Sequence, residues 1–394
     1  MSPGFEGLPG MEATVLAEQA LLGALLLRPR HLVVTVNWLE ARHFYLPHHA
    51  ALYSTMRKLA ADGHPALADR HSSDQGLDWL KRATALATQQ APGLTPSHAH
   101  TLVNICPQPD HAAAYGRMVL AGHTRRSIAE HAQRLADTTR STRGSRLQAA
   151  TVSAQADTLA SALDELAEHW HAHPGATNRG GSPPPLRKLP PNAQRHADEQ
   201  AFLSAVTTRP HELRDIRAYL TPEDFASPLH QQLYRCLSAL HHRGEPIDPV
   251  TVVWEAQHRG VLADATPETV LTTCARSGND PAYWAAQLLD HALISTAATS
   301  AQHIEHAAAD STITPHRLIT ISRRALGDIT AIRLRRHQAH HGPPTPPARP
   351  SRPSARHSST HPTPGASRHH TPSGPSPSSP HLPAPVSAPT AHIR

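Results

Sequence analysis

Cysteine, lysine, aromatic residues and long apolar runs are all scarce in this chain of 394 residues. Its three cysteines, Cys106, Cys236 and Cys274, are too few and too scattered to predict a disulfide framework or a paired-cysteine metal site. No run of about 18 apolar residues occurs, so we expect no membrane span. The start, MSPGFEGLPGMEA, lacks the basic residues and the apolar stretch of a secretion signal. These absences predict a cytoplasmic protein.

The positive charge of the chain comes almost entirely from arginine. The formal net charge is +6, and lysine occurs only as Lys58, Lys81 and Lys188. A basic chain can contact nucleic acid. However, arginine together with abundant alanine, proline and histidine is also typical of a GC-rich genome, and we prefer this compositional explanation.

Composition divides the chain into four parts. We expect a first helical domain over 12–170, a Pro/Gly-rich linker over 171–194, a second helical domain over 195–336 and a tail over 337–394. The tail is rich in Pro, Ser, His and Arg and contains no Asp or Glu. Because it has few large apolar side chains to offset the entropy of ordering, it is predicted to be disordered.

The two helical domains are related by an internal repeat. Residues 18–65 align with 199–246 at a constant offset of 181 without a gap, and roughly a third of the aligned positions are identical. This agreement in one register exceeds what compositional bias produces, so we infer two copies of one domain. Identical pairs include Glu18 and Glu199, Gln19 and Gln200, Arg28 and Arg209, Phe44 and Phe225, Pro47 and Pro228, His49 and His230, Tyr53 and Tyr234, and Gly63 and Gly244.

Apolar residues in both copies recur at helical spacing, as Leu52, Met56 and Leu59 do in the first copy. Helix starts are marked by a capping side chain followed by proline, and Gly63 and Gly244 lie where a left-handed helix end is needed. The branched run IDPVTVV is also interpreted as helical. The fold class is all-α. The capping pairs are Thr95-Pro96, Thr221-Pro222, Thr266-Pro267, Asp280-Pro281 and Thr314-Pro315.

Each copy is predicted to consist of a small helical head followed by a helical hairpin. The hairpins are expected over 110–139 with 156–170 and over 280–310 with 315–334. A single hairpin with an Ala-rich face has too little interior to be stable alone, so we expect each one to associate with another helix pair. The two copies are close enough along the chain to pair with each other.

Three segments carry a family resemblance: EQALLGALLLRP, PEDFASPLHQQLYRCLSALHHRGEPIDPVTV and DPAYWAAQLLDHALI. They resemble the N-terminal domain of DnaB-type replicative DNA helicases. The first copy fits this pattern over 15–65, carries PALADRH where PIDPVTV should stand, and recovers near Tyr115. In the second copy the matching residues are Asp224, Phe225, His230, Tyr234, Leu240, Gly244, Pro246, Ile247 and Asp248.

The resemblance implies a non-catalytic protein-interaction module related to DNA replication. In that family the domain pairs through its hairpin into a collar and receives primase. The implied partners are replication proteins (helicase, primase or loader), or a second hairpin of the same kind. The family's ATPase domain needs a GxxxxGK[ST] phosphate loop. None of Lys58, Lys81 and Lys188 has a preceding Gly or a following Ser or Thr, so we expect no enzymatic activity.

No motif for other chemistry is present. The 33 histidines form no HExxH or paired Cys/His spacing, and nothing resembles the GxSxG of a nucleophile. We therefore predict no catalytic residue, no cofactor and no metal site.

Several polar residues nevertheless recur in both copies or stand together. His49 and His230 are interpreted as helix-starting residues at a domain edge. The pairs Glu18-Gln19, Glu199-Gln200 and Glu223-Asp224 are interpreted as first-turn residues that favour the helix dipole.

The alternative function is a nucleic-acid-binding accessory protein that uses the basic C-terminal tail. From Ala331 onward the chain has eight arginines, including Arg333, Arg335 and Arg336, and no acids. Weak, sequence-independent contact with phosphates is the expected mode.

Overall fold

A computed structural model of the chain describes residues 11–68, 72–91, 95–140, 145–170, 193–275 and 280–341. All regular secondary structure in these ranges is helical, which confirms the all-α fold class. None of the described helices is long and apolar enough to cross a membrane. Nearly all of the expected linker, and the tail from residue 342 onward, lie outside the described residues.

In the described part of the first copy, five head helices are followed by two hairpin helices, and short 3-10 turns connect several of them. The head helices are α1 (Met11–Leu27), α2 (Leu32–Thr35), α3 (Pro47–Ala61), α4 (Ser73–Gln90) and α5 (Pro96–Ile105). The hairpin helices are α6 (Ala112–Thr139) and α7 (Ser145–Ala167).

The second copy repeats this order of elements. Its head helices are α8 (Ala193–Thr208), α9 (Leu213–Ile216), α10 (Pro228–Arg243), α11 (Pro249–His258) and α12 (Pro267–Cys274). Its hairpin helices are α13 (Pro281–Ala309) and α14 (Pro315–His341). Residues 337–341, expected as the start of the disordered tail, are therefore the last turn of α14.

The predicted helix boundaries are confirmed at their caps. The helix α11 begins at Pro249, and the Asp248 carboxylate accepts hydrogen bonds from the amides of Val250 and Thr251, so the run IDPVTVV is helical from Pro249 onward, as expected. Gly63 and Gly244 have φ of 75° and 69°, the left-handed conformation that favours glycine after a helix.

The two heads share the same core contacts. Tyr53 in α3 donates a hydrogen bond to the Leu39 carbonyl at 3.2 Å. Its counterpart Tyr234 in α10 donates to the Leu220 carbonyl at 3.1 Å. Although the first copy departs from the family pattern at PALADRH, it still forms a helix pair after α3, and the fully buried Trp79 of α4 anchors that pair to the core.

The four hairpin helices α6, α7, α13 and α14 share one apolar core, which we call the shared hairpin core. Both copies contribute buried side chains to it, including Ile128, Leu159, Leu293, Ile304 and Ile329. The helices α6 and α13 run antiparallel, since residues just beyond the end of α13 meet the first half of α6, and Ser145, beyond the end of α6, meets the start of α13. The association expected for each hairpin thus occurs within one chain.

Candidate protein-interaction site

An arginine of the first copy closes the hairpin turn of the second copy. The Arg125 guanidinium, from α6, donates to the carbonyl oxygens of Ala308, Asp310 and Ile313 at 3.0, 2.6 and 2.7 Å. These carbonyls lie at the end of α13 and in the turn that follows, where a helix leaves acceptors without internal partners. The contact therefore joins the two copies through backbone groups rather than through a charged pair.

Ion pairs border the shared hairpin core. Arg333 of α14 binds both carboxylate oxygens of Asp157 of α7, at 2.5 and 3.0 Å. Arg323 reaches Asp164 at 2.6 Å. Because these pairs are exposed to water, each is expected to contribute less than about 1 kcal/mol. They fix the orientation of the helices, while the apolar core supplies most of the stability.

Arg335 ties the end of α14 to the head of the second copy. Its guanidinium binds both oxygens of the buried Asp224, at 2.5 and 2.9 Å. The same carboxylate accepts a hydrogen bond from the Thr221 amide at 2.7 Å. Asp224 thus caps the short Pro222–Asp224 turn, as expected of a first-turn residue, and it also joins head to hairpin.

Arg336 likewise contacts the buried Asp290 of α13. Together with Arg333 and Arg335, it is one of the three named arginines on which the nucleic-acid alternative relied. In the described part of the chain, each of the three binds an aspartate carboxylate. These ion pairs connect the hairpins with each other and with the second head.

The first-turn interpretation of Glu18 and Glu199 is wrong. Both residues lie in the middle of long helices, and both side chains are completely buried. The Glu199 carboxylate accepts hydrogen bonds from the amides of Ala226 and Ser227 at 2.6 and 3.2 Å and from Nδ1 of His230 at 2.7 Å. Burial alone would raise the pKa of Glu199, but the hydrogen bonds from His230 and the two amides outweigh it and hold the pKa below its usual value.

The same pair occurs in the first copy. Glu18 accepts from the Tyr45 amide at 2.5 Å and from Nδ1 of His49 at 2.8 Å. His49 and His230 are therefore fully buried partners of a carboxylate, not residues at a domain edge. Each pair fixes the start of one helix, α3 or α10, against the first helix of its copy. The sequence signal for this was the recurrence of both Glu and His at the same separation.

A buried histidine, His43, and a half-buried one, His123, lie where the first head meets its hairpin. The rings of His43 and His123 are 4.6 Å apart. Nδ1 of His43 accepts a hydrogen bond from the Glu40 amide at 3.0 Å, which requires the neutral imidazole. Burial, together with the neighbouring basic side chains, lowers the pKa of His43 to about 3 and that of His123 to about 4.

The low pKa values of His43 and His123 predict that the protein loses stability in mild acid. Their folded pKa values lie below the unfolded value of about 6.5, so the unfolded chain takes up protons first as the pH falls. After allowance for solvent screening, we expect the free energy of unfolding to fall by about 1–2 kcal/mol between pH 6.5 and 4.5. Urea denaturation across this range measures it.

His123→Gln should make this fall shallower, whereas His100→Gln, at an exposed position, should not change it. If the free energy of unfolding of His123→Gln falls with pH as steeply as that of the unmodified chain, His123 is not a source of the acid sensitivity.

The head of the second copy carries an exposed apolar pair. Val250 and Trp254 stand one turn apart on α11, and 70% and 63% of their surfaces are exposed. The Trp254 ring contacts the ring of His258, with centroids 4.9 Å apart. Exposed Trp is rare on a surface without a partner and is enriched at the centres of interfaces.

Three histidines that no sequence motif joined are brought together in the first head. Nitrogen atoms of His48, His49 and His98 that could bind a metal ion all lie within 4.8 Å of one another. The first two open α3 and the third lies in the first turn of α5, so only the fold shows that they are neighbours.

Comparison with known proteins agrees with the internal repeat. The sequence profile described as "DnaB-like helicase N terminal domain" matches residues 11–120 and 191–288. These matches cover both heads and the beginning of each hairpin. The chain belongs to the DnaB-like helicase N-terminal domain family and carries that domain twice.

Individual relatives are replicative helicases. The replicative DNA helicase DnaC of Bacillus subtilis (strain 168) is 37% identical over 90 residues, which is 23% of this chain and 19% of the relative. The replicative DNA helicase DnaB of Mycobacterium leprae (strain TN) is 31% identical over 137 residues, 34% of this chain and 21% of the relative. The chain thus spans about a fifth of the length of each of these relatives.

Among solved structures, the N-terminal domain of DnaB helicase from Mycobacterium tuberculosis is similar, at 25% identity. The match covers 36% of this chain and 99% of that chain, with a TM-score of 0.30.

Proposed function

We propose that this chain is a non-catalytic protein-interaction module of the DNA replication machinery. In this proposal, two helicase-type N-terminal domains are paired within one polypeptide and together present their heads to a partner. The observation that supports it best is the shared hairpin core, in which apolar residues of both copies are buried together. A domain whose family associates through this hairpin would need no second chain to complete the association.

The pairing also limits where a partner can bind. The inner faces of all four hairpin helices are occupied by the shared hairpin core. A replication protein would therefore dock on the heads. The exposed pair Val250 and Trp254 on α11 offers the kind of aromatic anchor that dominates interface energetics.

A binding experiment with purified proteins tests both the interaction role and the binding face on α11. The full chain is immobilised, and the replicative helicase, primase and helicase loader of the same organism are passed over it separately. We expect one of the three to bind. The double variant Val250→Ala and Trp254→Ala should weaken that binding at least about 10-fold, because buried aromatic anchors commonly contribute 2 kcal/mol or more.

Leu334→Ala is the matched control, since Leu334 is also an exposed apolar residue, at 62%, but lies on the hairpin helix α14. It should bind like the unmodified chain. Absence of binding to all three proteins, or nucleotide hydrolysis by the purified chain alone, would contradict the proposed function. If both variants weaken binding equally, the chain still acts as an interaction module, but α11 is not its binding face.

The nucleic-acid alternative now rests on fewer residues. Of the eight arginines from Ala331 onward, Arg333, Arg335 and Arg336 are paired with aspartates. The other five lie outside the described residues. Weak contact between the tail and phosphates therefore stays a prediction from the sequence.

A further inference from the structure

The histidine cluster of the first head has the spacing of a metal site. Nε2 of His49 and Nε2 of His98 are 3.4 Å apart. Two imidazole nitrogens bound to one tetrahedral Zn²⁺, each at 2.0–2.1 Å, are separated by about 3.4 Å. The third ring, that of His48, lies with its centroid 4.5 Å from the ring of His49 and 5.2 Å from that of His98. All three rings thus surround one small volume.

A buried carboxylate orients the central histidine. Nδ1 of His49 is 2.8 Å from Oε2 of Glu18. The carboxylate holds the proton on Nδ1, so Nε2 directs its lone pair towards His98. Histidines that bind metal ions usually donate their other N–H to a carboxylate or carbonyl in this way. Glu18 is itself fixed, since it also accepts hydrogen bonds from the amides of Tyr45 and Leu46 at 2.5 and 3.4 Å.

The cluster can be reached from solvent on one side. His49 is fully buried, whereas His48 and His98 are half-buried, so an ion could enter from their side.

The second copy contains the Glu–His pair but not the other two histidines of the cluster. His230 and Glu199 repeat the pair, at 2.7 Å. At the offset that aligns the copies, however, Leu229 stands in place of His48. Where α5 places His98 three residues after its capping threonine, α12 places Thr269. The second head therefore forms this pair without histidines at those two positions; the ring of His196 lies 4.5 Å from that of His230 instead.

We propose that His48, His49 and His98 form a binding site for a divalent transition-metal ion such as Zn²⁺. Three imidazole ligands leave the fourth tetrahedral position to water or to a side chain of a partner, as in zinc sites with an open position. Imidazole ligands suit Zn²⁺ and its neighbours in the first transition row rather than Mg²⁺ or Ca²⁺. The ion would join α3, which fits the family pattern, to α5, which follows the segment where the first head departs from that pattern.

The test uses the full chain, Zn²⁺ and Co²⁺. Zn²⁺ affinity is measured by competition with a chromogenic chelator, and the visible absorption of bound Co²⁺ reports tetrahedral coordination. We expect one tight equivalent per chain. His98→Gln and His48→Gln should each weaken it at least about 10-fold, because even outer partners of metal ligands contribute 10–100-fold.

His100→Gln is the control. It lies on the same helix as His98 but is exposed, and it should leave the affinity and the Co²⁺ spectrum unchanged. All variants keep the His-rich tail, so weak binding there is the same in each. Zn²⁺ should also raise the melting temperature of the unmodified chain and of His100→Gln, but not that of His98→Gln.

Two results would overturn the proposal. One is the absence of a tight equivalent in the unmodified chain, which would leave His49 and His98 as a hydrogen-bonded pair only. The other is a tight equivalent whose affinity and Co²⁺ spectrum are the same in His98→Gln, which would assign the ion to other histidines.

Discussion

Glu199→Ala is expected to lower the free energy of unfolding by about 3–5 kcal/mol, since removal of one partner of a buried ion pair leaves the other uncompensated. The substitution leaves the ring of His230, the amides of Ala226 and Ser227 and the nearby Arg195 without their shared acceptor. Urea denaturation at pH 7 measures the change. Because the pKa of Glu199 is depressed, its contribution is present at this pH and is lost only as the pH falls below about 4.3.

Glu223→Ala provides the matched control for this prediction. Glu223 also forms an ion pair, with Arg235 at 3.2 Å, but 66% of its side chain is exposed. Its removal should change the free energy of unfolding by less than about 1 kcal/mol. Glu18→Ala should also be strongly destabilising, because the first copy contains the same Glu–His pair and two amide donors, although no arginine corresponds to Arg195. A loss below about 1 kcal/mol for Glu199→Ala would show that the pair contributes no more than a surface contact.

Ile304→Asp is expected to separate the two hairpins. Ile304 is fully buried in the shared hairpin core, and a carboxylate placed there has no basic partner among the core residues. The free energy of unfolding should fall by more than about 4 kcal/mol, through the lost apolar contacts and the burial of an unpaired charge.

Light scattering measures the second consequence of Ile304→Asp. The unmodified chain should have the mass of one polypeptide, 42.6 kDa, at low micromolar concentration. The variant exposes the apolar faces of both hairpins and should form larger species. Leu334→Asp, at an exposed position of α14, should keep both the mass and the stability. A stable, single-chain Ile304→Asp protein would contradict the role assigned to the shared core.

Much of the fold could be predicted from the sequence because local rules decide it. Apolar spacing marked the helices, and a capping residue followed by proline marked where α5, α11, α12 and α13 begin. The repeat was visible because each copy keeps the same residues in one register. These features depend on neighbours within a few positions along the chain.

The polar interior could not be predicted in the same way. Glu18 and Glu199 look like first-turn acids when only the adjacent residues are considered, whereas their partners lie about 30 residues further on. Arg335 looked like a free cation for the same reason, although Asp224 binds it from more than 100 residues away. Burial of a charge depends on a distant partner, and neither periodicity nor composition contains that information.

Pairing within one polypeptide has a consequence for encounters with other chains that carry this type of hairpin. Two segments tethered to each other meet at an effective concentration of the order of millimolar, which does not change on dilution. A hairpin on a separate chain at micromolar concentration is therefore at a disadvantage of about a thousandfold when it competes for α6 or α13. Exchange of hairpins between chains is disfavoured, and a binding partner would meet the two copies as a preassembled unit.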